Sequence, residues 1–148
     1  MRNIIQRYRT SAGILLVLVC LLAPSPAMSS AIERQNNVVD QYFYIVDHFL
    51  RSAYKTQGPQ QSALFQQSIA AFGQLLQWFG DEQDAPTLAL SQYQVAKSYQ
   101  MLGDVQKARE AYQVCIEYQR FAKLPVKEKG SADIVAVIDE CKKELKSL

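Results

Sequence analysis

The chain has 148 residues, with 16 basic and 14 acidic side chains and a single histidine. Three of the basic residues, Arg2, Arg7 and Arg9, lie in an N-terminal stretch without acids, so the remainder carries 13 basic and 14 acidic residues. This near balance gives no support for nucleic-acid binding, and one histidine excludes a metal site built from several imidazoles. The roughly 120 residues beyond that stretch are enough for one small domain.

Residues 1–27 have the composition of a secretory signal peptide. A basic start is followed by the apolar run AGILLVLVCLLA, which is shorter than the about 20 residues of a membrane span, and then by small residues. Their spacing predicts cleavage after Ala27 or Ala31, with 28–37 as a short lead and 38–148 as the domain. We therefore expect an exported protein, periplasmic or secreted. The alternative is an uncleaved signal that anchors the chain in a membrane.

Apolar residues along the domain recur with a period near 3.6, and no segment alternates as a strand does. Helix one is predicted over 38–54, and Gly58-Pro59 ends it and begins the next helix. Helix two is predicted over about 60–79. It contains Gly73, which a kink or a close helix contact would explain.

The polar stretch 80–86 connects to a third helix predicted over about 87–102. Asp104 is expected to cap the fourth helix, which reaches about residue 121. After a loop, Ser131 is expected to cap a last helix with a narrow apolar seam. The seam residues are Ile134, Ile138, Cys141, Leu145 and Leu148. Five helices joined by short loops predict an all-α fold.

A recognisable pattern lies at 93–118, which reads YQVAKSYQMLGDVQKAREAYQVCIEY. Its informative residues are Val95, Ala96, Tyr99, Gly103, Asp104, Ala108, Tyr112 and Cys115. Together they resemble a tetratricopeptide repeat, a helix–turn–helix unit of about 34 residues. The clear unit covers about 89–122. Ala96 stands where the family usually has Gly, and Arg120 stands where it has a closing Pro.

An offset of 45 residues predicts an earlier, degenerate unit over about 44–79. The matching pairs are Leu50 and Val95, Tyr54 and Tyr99, Gly58 and Gly103, Ala63 and Ala108, and Ala70 and Cys115. Gln67 departs from the pattern because it replaces Tyr112. The resemblance thus implies two short antiparallel hairpins and a C-terminal capping helix. About three units are normally needed for a stable array, so closure by the last helix, self-association or a covalent link would help.

The cysteines offer such a link. Cys20 leaves with the signal peptide, and Cys115 and Cys141 remain. The resemblance places Cys115 on the face that meets the next helix, and Cys141 lies in the seam of that helix. A disulfide would close a loop of about 25 residues. The alternative is two separately buried thiols.

The resemblance implies that a ligand lies along the first helix of each unit. The partner-binding residues implied on helix one are Ile45, His48, Ser52 and Lys55. Those implied on helix three are Leu90, Tyr93, Lys97, Gln100 and Met101. The alternative for each is an ordinary half-exposed helix residue. Trp78, which neighbours Phe72, Leu75 and Phe79, is interpreted as a core residue, and the alternative is an exposed anchor for a partner helix.

No catalytic, cofactor or metal-binding pattern is recognised in the sequence. His48 has no orienting partner, because Asp47 points elsewhere on a helix. We therefore expect no enzyme but an exported module that binds a peptide or helix of another protein in a groove. The alternative is a structural, self-associating helical subunit of an envelope complex.

Overall fold

The computed structural model describes residues 37–79, 84–122 and 133–148, and every regular element within them is helical. The all-α prediction is confirmed. The elements are α1 over 37–55, α2 Pro59–Trp78, α3 Ala85–Met101, α4 Val105–Glu117 with a 3-10 turn Tyr118–Phe121, and α5 Ile134–Ser147. Within α1, Val46–Leu50 forms a π-helical turn. The predicted signal peptide and the lead up to residue 36 lie outside the described residues.

The predicted turns and caps are local features, and the structure confirms the turns at Gly58 and Gly103 and the cap at Asp104. Gly58 and Gly103 have φ of 72° and 77°, a backbone region that side chains with a Cβ disfavour. Asp104 caps α4, since its Oδ1 accepts a hydrogen bond from the third following amide at 3.2 Å. α5 is capped by Asp133, whose Oδ1 accepts from the second following amide at 3.0 Å. The expected cap Ser131 lies outside the described residues.

The five helices pack in sequence order within the unit Gln35–Leu148. Most buried residues form one core, and a second cluster of Ala85, Ala89, Ile134 and Ile138 lies between α3 and α5. α1 packs on α2, α2 on α3, and α3 on α4, while α5 covers both α3 and α4. Small residues occupy the helix contacts: Ala53, Ala96 and Ala108 are fully buried. The Ser68 and Ser98 hydroxyls lie 3.2 Å apart between α2 and α3. Small side chains at these points let the helix axes approach closely.

Burial does not follow the 45-residue correspondence in α2. Ala63 and Ala70 are exposed, whereas their counterparts in α4 are fully buried. The buried residues of the two hairpins correspond instead at an offset of 43 residues. At this offset the buried pairs are Phe65 and Ala108, Ser68 and Ala111, Phe72 and Cys115, and Ala53 and Ala96. The reason is apolar area, because Phe65 and Phe72 bury far more surface than two alanines would.

Gly73 is neither at a close helix contact nor at a break in α2. The helix runs from Pro59 to Trp78 without interruption, and a Cβ built at Gly73 would meet nothing within 4 Å. The sequence-based explanation by a close contact is therefore wrong. Gly73 leaves α2 less stable than alanine would, without a compensating contact.

Cys115 and Cys141 are joined by a disulfide, and both are fully buried. Their Cα atoms lie 6.5 Å apart, and 26 positions separate them in the sequence. The bond links α4 to α5, as the predicted disulfide requires. The disulfide therefore fixes α5 to the hairpin formed by α3 and α4.

Replacing Gly73 by alanine is expected to raise the free energy of unfolding by about 1 kcal/mol, because the helix gains intrinsic propensity and the site has room. Gly103→Ala is the matched control, since its positive φ penalises a Cβ by roughly 1–2 kcal/mol and reverses the sign. Urea denaturation of both variants measures the two effects. Destabilisation by Gly73→Ala would contradict the described environment.

Removing the disulfide with the double variant Cys115→Ala/Cys141→Ala is expected to lower the free energy of unfolding by about 3–4 kcal/mol, since the unfolded chain loses a loop constraint. Urea denaturation of the oxidised protein, with and without a thiol reductant, gives the comparison, and the reductant should leave the variant unaffected. Thiol titration of the unfolded, non-reduced protein is the control. Two free thiols there would contradict the bond.

Candidate partner-binding surfaces

The five residues predicted on helix three lie along one side of α3. Their spacing places Leu90, Tyr93, Lys97, Gln100 and Met101 within an arc of about 100°. None of them is fully buried, and Met101 is 48% exposed. The structure therefore brings this half of the predicted set together on one surface.

An ion pair crosses this surface from α3 to α5. Lys97 Nζ lies 3.2 Å from Glu144 Oε1, and both side chains are largely shielded, with 24% and 18% exposed. The ion pair thus links α5 to α3, in addition to the disulfide that links α5 to α4. It also occupies Lys97, one of the predicted partner-binding residues.

Tyrosine hydroxyls converge beside the ion pair. The Tyr93 and Tyr112 rings lie 6.1 Å apart, and the Tyr112 hydroxyl donates a hydrogen bond to Gln100 Oε1 at 2.9 Å. Burial, followed by the negative charges of Glu144 and Glu140, raises the pKa of Tyr93 to about 12. Burial and Glu144 raise the pKa of Tyr112 in the same direction. Both hydroxyls are therefore held in their neutral form near neutral pH, while the two carboxylates are ion-paired, Glu144 with Lys97 and Glu140 with Lys143.

α1 contributes Tyr54, which the sequence did not single out. Its ring packs edge-on against Phe65 with centroids 5.3 Å apart, and 51% of the residue stays exposed. Tyr54 also contributes to the raised pKa of Tyr93 and of Tyr112, so it lies in their neighbourhood. We call the surface formed by Tyr54, Leu90, Tyr93, Lys97, Gln100, Met101 and Glu144 the α3 face.

The residues predicted on helix one do not join the α3 face. Ile45 is buried beside α2, His48 stacks on the Tyr44 ring at 4.0 Å, and Lys55 is exposed. Ser52 and Tyr54 flank the buried Ala53 on opposite sides.

The offset between the two units decides which side of α1 corresponds to the α3 face. A change of two residues in the offset rotates a helix by about 200°. At the offset of 43, Tyr54 is the counterpart of Lys97. In the sequence, the positions of the large rings Phe65 and Phe72 are the signal for this offset. The partner-binding role of the residues on helix one stays a prediction.

A second surface is a groove between α1 and α2 with a volume of about 350 Å³. Its lining consists of Gln41, Tyr44, Ile45, Phe49, Ala71, Gln74, Leu75 and Trp78. None of these side chains carries a charge. Tyr44 and Trp78 are 53% and 64% exposed, which makes this groove an accessible aromatic surface. We call it the α1–α2 groove.

The interpretation of Trp78 as a core residue is wrong. Phe72, Leu75 and Phe79 are buried as expected, because steps of three and four residues keep them on one side of the chain. Trp78, at the end of α2, is rotated by about 120° around the helix axis from Phe72, so its ring lies outside the core.

A third depression, of about 450 Å³, lies between α2 and α3. It is lined by Ser62, Gln66, Ile69, Tyr99, Leu102, Asp104 and Lys107. Lys107 Nζ lies 2.8 Å from Asp104 Oδ2 and 5.5 Å from the centre of the Tyr99 ring. These contacts support the start of α4, and the charges at this depression are paired with each other.

Raising the pH is expected to destabilise the protein through Tyr93. Its pKa in the folded protein is about 12, above the value of 10 for an unperturbed tyrosine, so the unfolded chain ionises first. The free energy of unfolding is unaffected by this group below pH 10 and falls as the pH rises from 10 to 12. Tyr93→Phe should flatten that fall, whereas Tyr44→Phe at the α1–α2 groove serves as the matched control. Urea denaturation midpoints at several pH values measure this loss of stability. If the midpoint falls as steeply between pH 10 and 12 in Tyr93→Phe as in the unmodified protein, the raised pKa of Tyr93 is contradicted.

Within the described ranges, no group of three or more histidine, cysteine, aspartate or glutamate side chains is placed to hold a metal ion. In the same ranges, none of the helices combines the length and apolar character that crossing a membrane requires. Comparisons of the chain with models of protein families, with curated proteins and with solved structures return no match.

Proposed function

We propose that the protein is an exported interaction module of tetratricopeptide type whose α3 face binds an extended segment of another protein. The observation that carries this proposal is the arrangement of the α3 face. Half-exposed tyrosines from α1 and α3 surround a polar centre, which the Lys97–Glu144 ion pair fixes. A rigid, amphipathic surface of this kind is typical of protein-binding sites.

The helical organisation supports the family assignment. α1 with α2 and α3 with α4 form hairpins, each with a positive-φ glycine in its turn, Gly58 and Gly103. Small residues such as Ala96 and Ala108 are buried where helices meet, and α5 covers the second hairpin. These features are those expected of a short helical-repeat array with a C-terminal cap.

Export is supported by the buried Cys115–Cys141 disulfide, because such bonds form and persist in oxidising compartments. The N-terminal sequence, with the composition of a signal peptide, also predicts such an oxidising compartment. We therefore place the proposed partner in the same compartment, periplasmic or extracellular.

The polar groups of the α3 face indicate how a segment would be held. The Tyr112 hydroxyl holds Gln100 Oε1, which leaves the amide N–H groups of Gln100 to donate to a carbonyl of an extended backbone. Lys97 is engaged by Glu144, so a C-terminal carboxylate is not the favoured ligand group. The carboxylates of Glu144 and Glu140 are already paired with Lys97 and Lys143, so a segment that is neutral where it passes Tyr93 fits this surface.

Cross-linking in the native compartment identifies the partner, and variants then test the surface. Tyr54→Ala and Gln100→Ala are each expected to weaken binding of that partner about 10-fold, because each removes a contact worth roughly 1–2 kcal/mol. His48→Ala, at the edge of the α1–α2 groove, should leave the affinity unchanged. Calorimetric titration measures all three. A loss confined to His48→Ala would show that the α3 face is not the binding surface.

A further inference from the structure

The α1–α2 groove lies at the open end of the stack of hairpins. On α2, Ser68 and Ile69 face α3, the first through the Ser98 hydroxyl and the second through the depression shared with α3. The groove residues Gln74 and Trp78 are rotated from Ile69 by about 140–180° around the helix axis. The groove is therefore on the side of α2 that turns away from α3.

The chemistry of this end differs from that of the other end. Helical-repeat arrays need polar outer faces on their terminal elements to remain soluble as free ends. α5 meets this requirement, since the exposed side of the helix carries Asp139, Lys143 and Lys146. The α1–α2 groove does not, because Tyr44 and Trp78 project there from an uncharged surface. A surface of this composition indicates an interface.

We propose that a second copy of this chain covers the α1–α2 groove, so that two α1–α2 hairpins pack around a twofold axis. Charge favours this occupant, because identical surfaces place like charges near each other and this lining carries none. The groove offers both parts of a self-complementary contact. Tyr44 and Trp78 project, and the depression between Ile45, Phe49 and Ala71 receives an aromatic ring from the facing copy.

The two exposed aromatic rings supply part of the area that a dimer interface needs. Tyr44 and Trp78 leave roughly 200–300 Å² exposed per copy, about a third of the roughly 800 Å² that each partner buries in a stable interface. The flanking turns of α1 and α2, with Gln41 and Gln74, supply a polar rim. The inference goes beyond the proposed function, since none of the groove residues belongs to the α3 face.

Trp78 is the single tryptophan of the chain, so its fluorescence reports on the groove. The protein is purified from cells that express the full chain and is studied from about 1 to 300 µM, a range that brackets micromolar dimerisation. Sedimentation equilibrium gives the mass, and emission spectra are recorded at the same concentrations. We expect the mass to rise from one chain to two, and the emission to shift to shorter wavelength with the same midpoint.

Two variants locate the contact. Gln74→Lys places like charges on the two facing grooves and should raise the dissociation constant at least 10-fold; Gln74 is exposed, so the fold tolerates the change. Tyr44→Ala should raise the dissociation constant by a similar factor while keeping Trp78 as the reporter. Gln113→Lys, on the exposed side of α4, is the matched control and should dimerise as the unmodified protein does. Circular dichroism confirms the helical content of each variant.

Several results would overturn the proposal. A single-chain mass at every concentration, with emission typical of an exposed indole, means that copies do not associate. A single-chain mass with short-wavelength emission means that the groove is filled within one chain. An emission shift that requires an added second protein assigns the groove to a different partner. Dimerisation that Gln74→Lys and Tyr44→Ala both leave unchanged places the interface elsewhere. Each result is separable from the Tyr54→Ala test of the α3 face.

Discussion

The fixation of α5 to the hairpin α3–α4 is the constraint on which the rest of the domain depends. The two hairpins alone leave the outer side of the second one uncovered. α5 supplies the cover, and a buried disulfide and a shielded ion pair hold it at two separate points. The same attachment brings Glu144 to Tyr93 and Tyr112. Thus the interaction that completes the core also sets the electrostatic character of the α3 face.

The domain offers two surfaces of different chemistry, and α1 contributes to both. The α3 face is polar and built around a fixed ion pair, which suits hydrogen bonding to an extended segment. The α1–α2 groove has no charge and exposes Tyr44 and Trp78, which suits burial of apolar area. No residue that lines the groove belongs to the α3 face. The two proposals therefore assign assembly to one surface and recruitment of a partner to the other.

The sequence predicted the features that depend on a few neighbouring residues. Helix positions followed from apolar periodicity, and the Gly103-Asp104 turn and cap followed from local backbone chemistry. The alignment of the two hairpins was not predictable in this way. Similar small residues suggested an offset of 45, but the larger rings Phe65 and Phe72 decide which side of α2 is buried. That shift of two residues separates Tyr54, which lies on the α3 face, from the residues predicted on helix one.

The π-helical turn Val46–Leu50 gives α1 a property that a regular helix of the same length would lack. Such a turn accommodates one extra residue, so the side chains after it are rotated by about 100° from the directions that an uninterrupted α-helix would give them. Tyr44 lies before the turn and Tyr54 after it. The relative orientation of Tyr44 and Tyr54 is therefore set by the presence of a single residue. A related chain lacking that residue could retain both tyrosines and still present them in different directions.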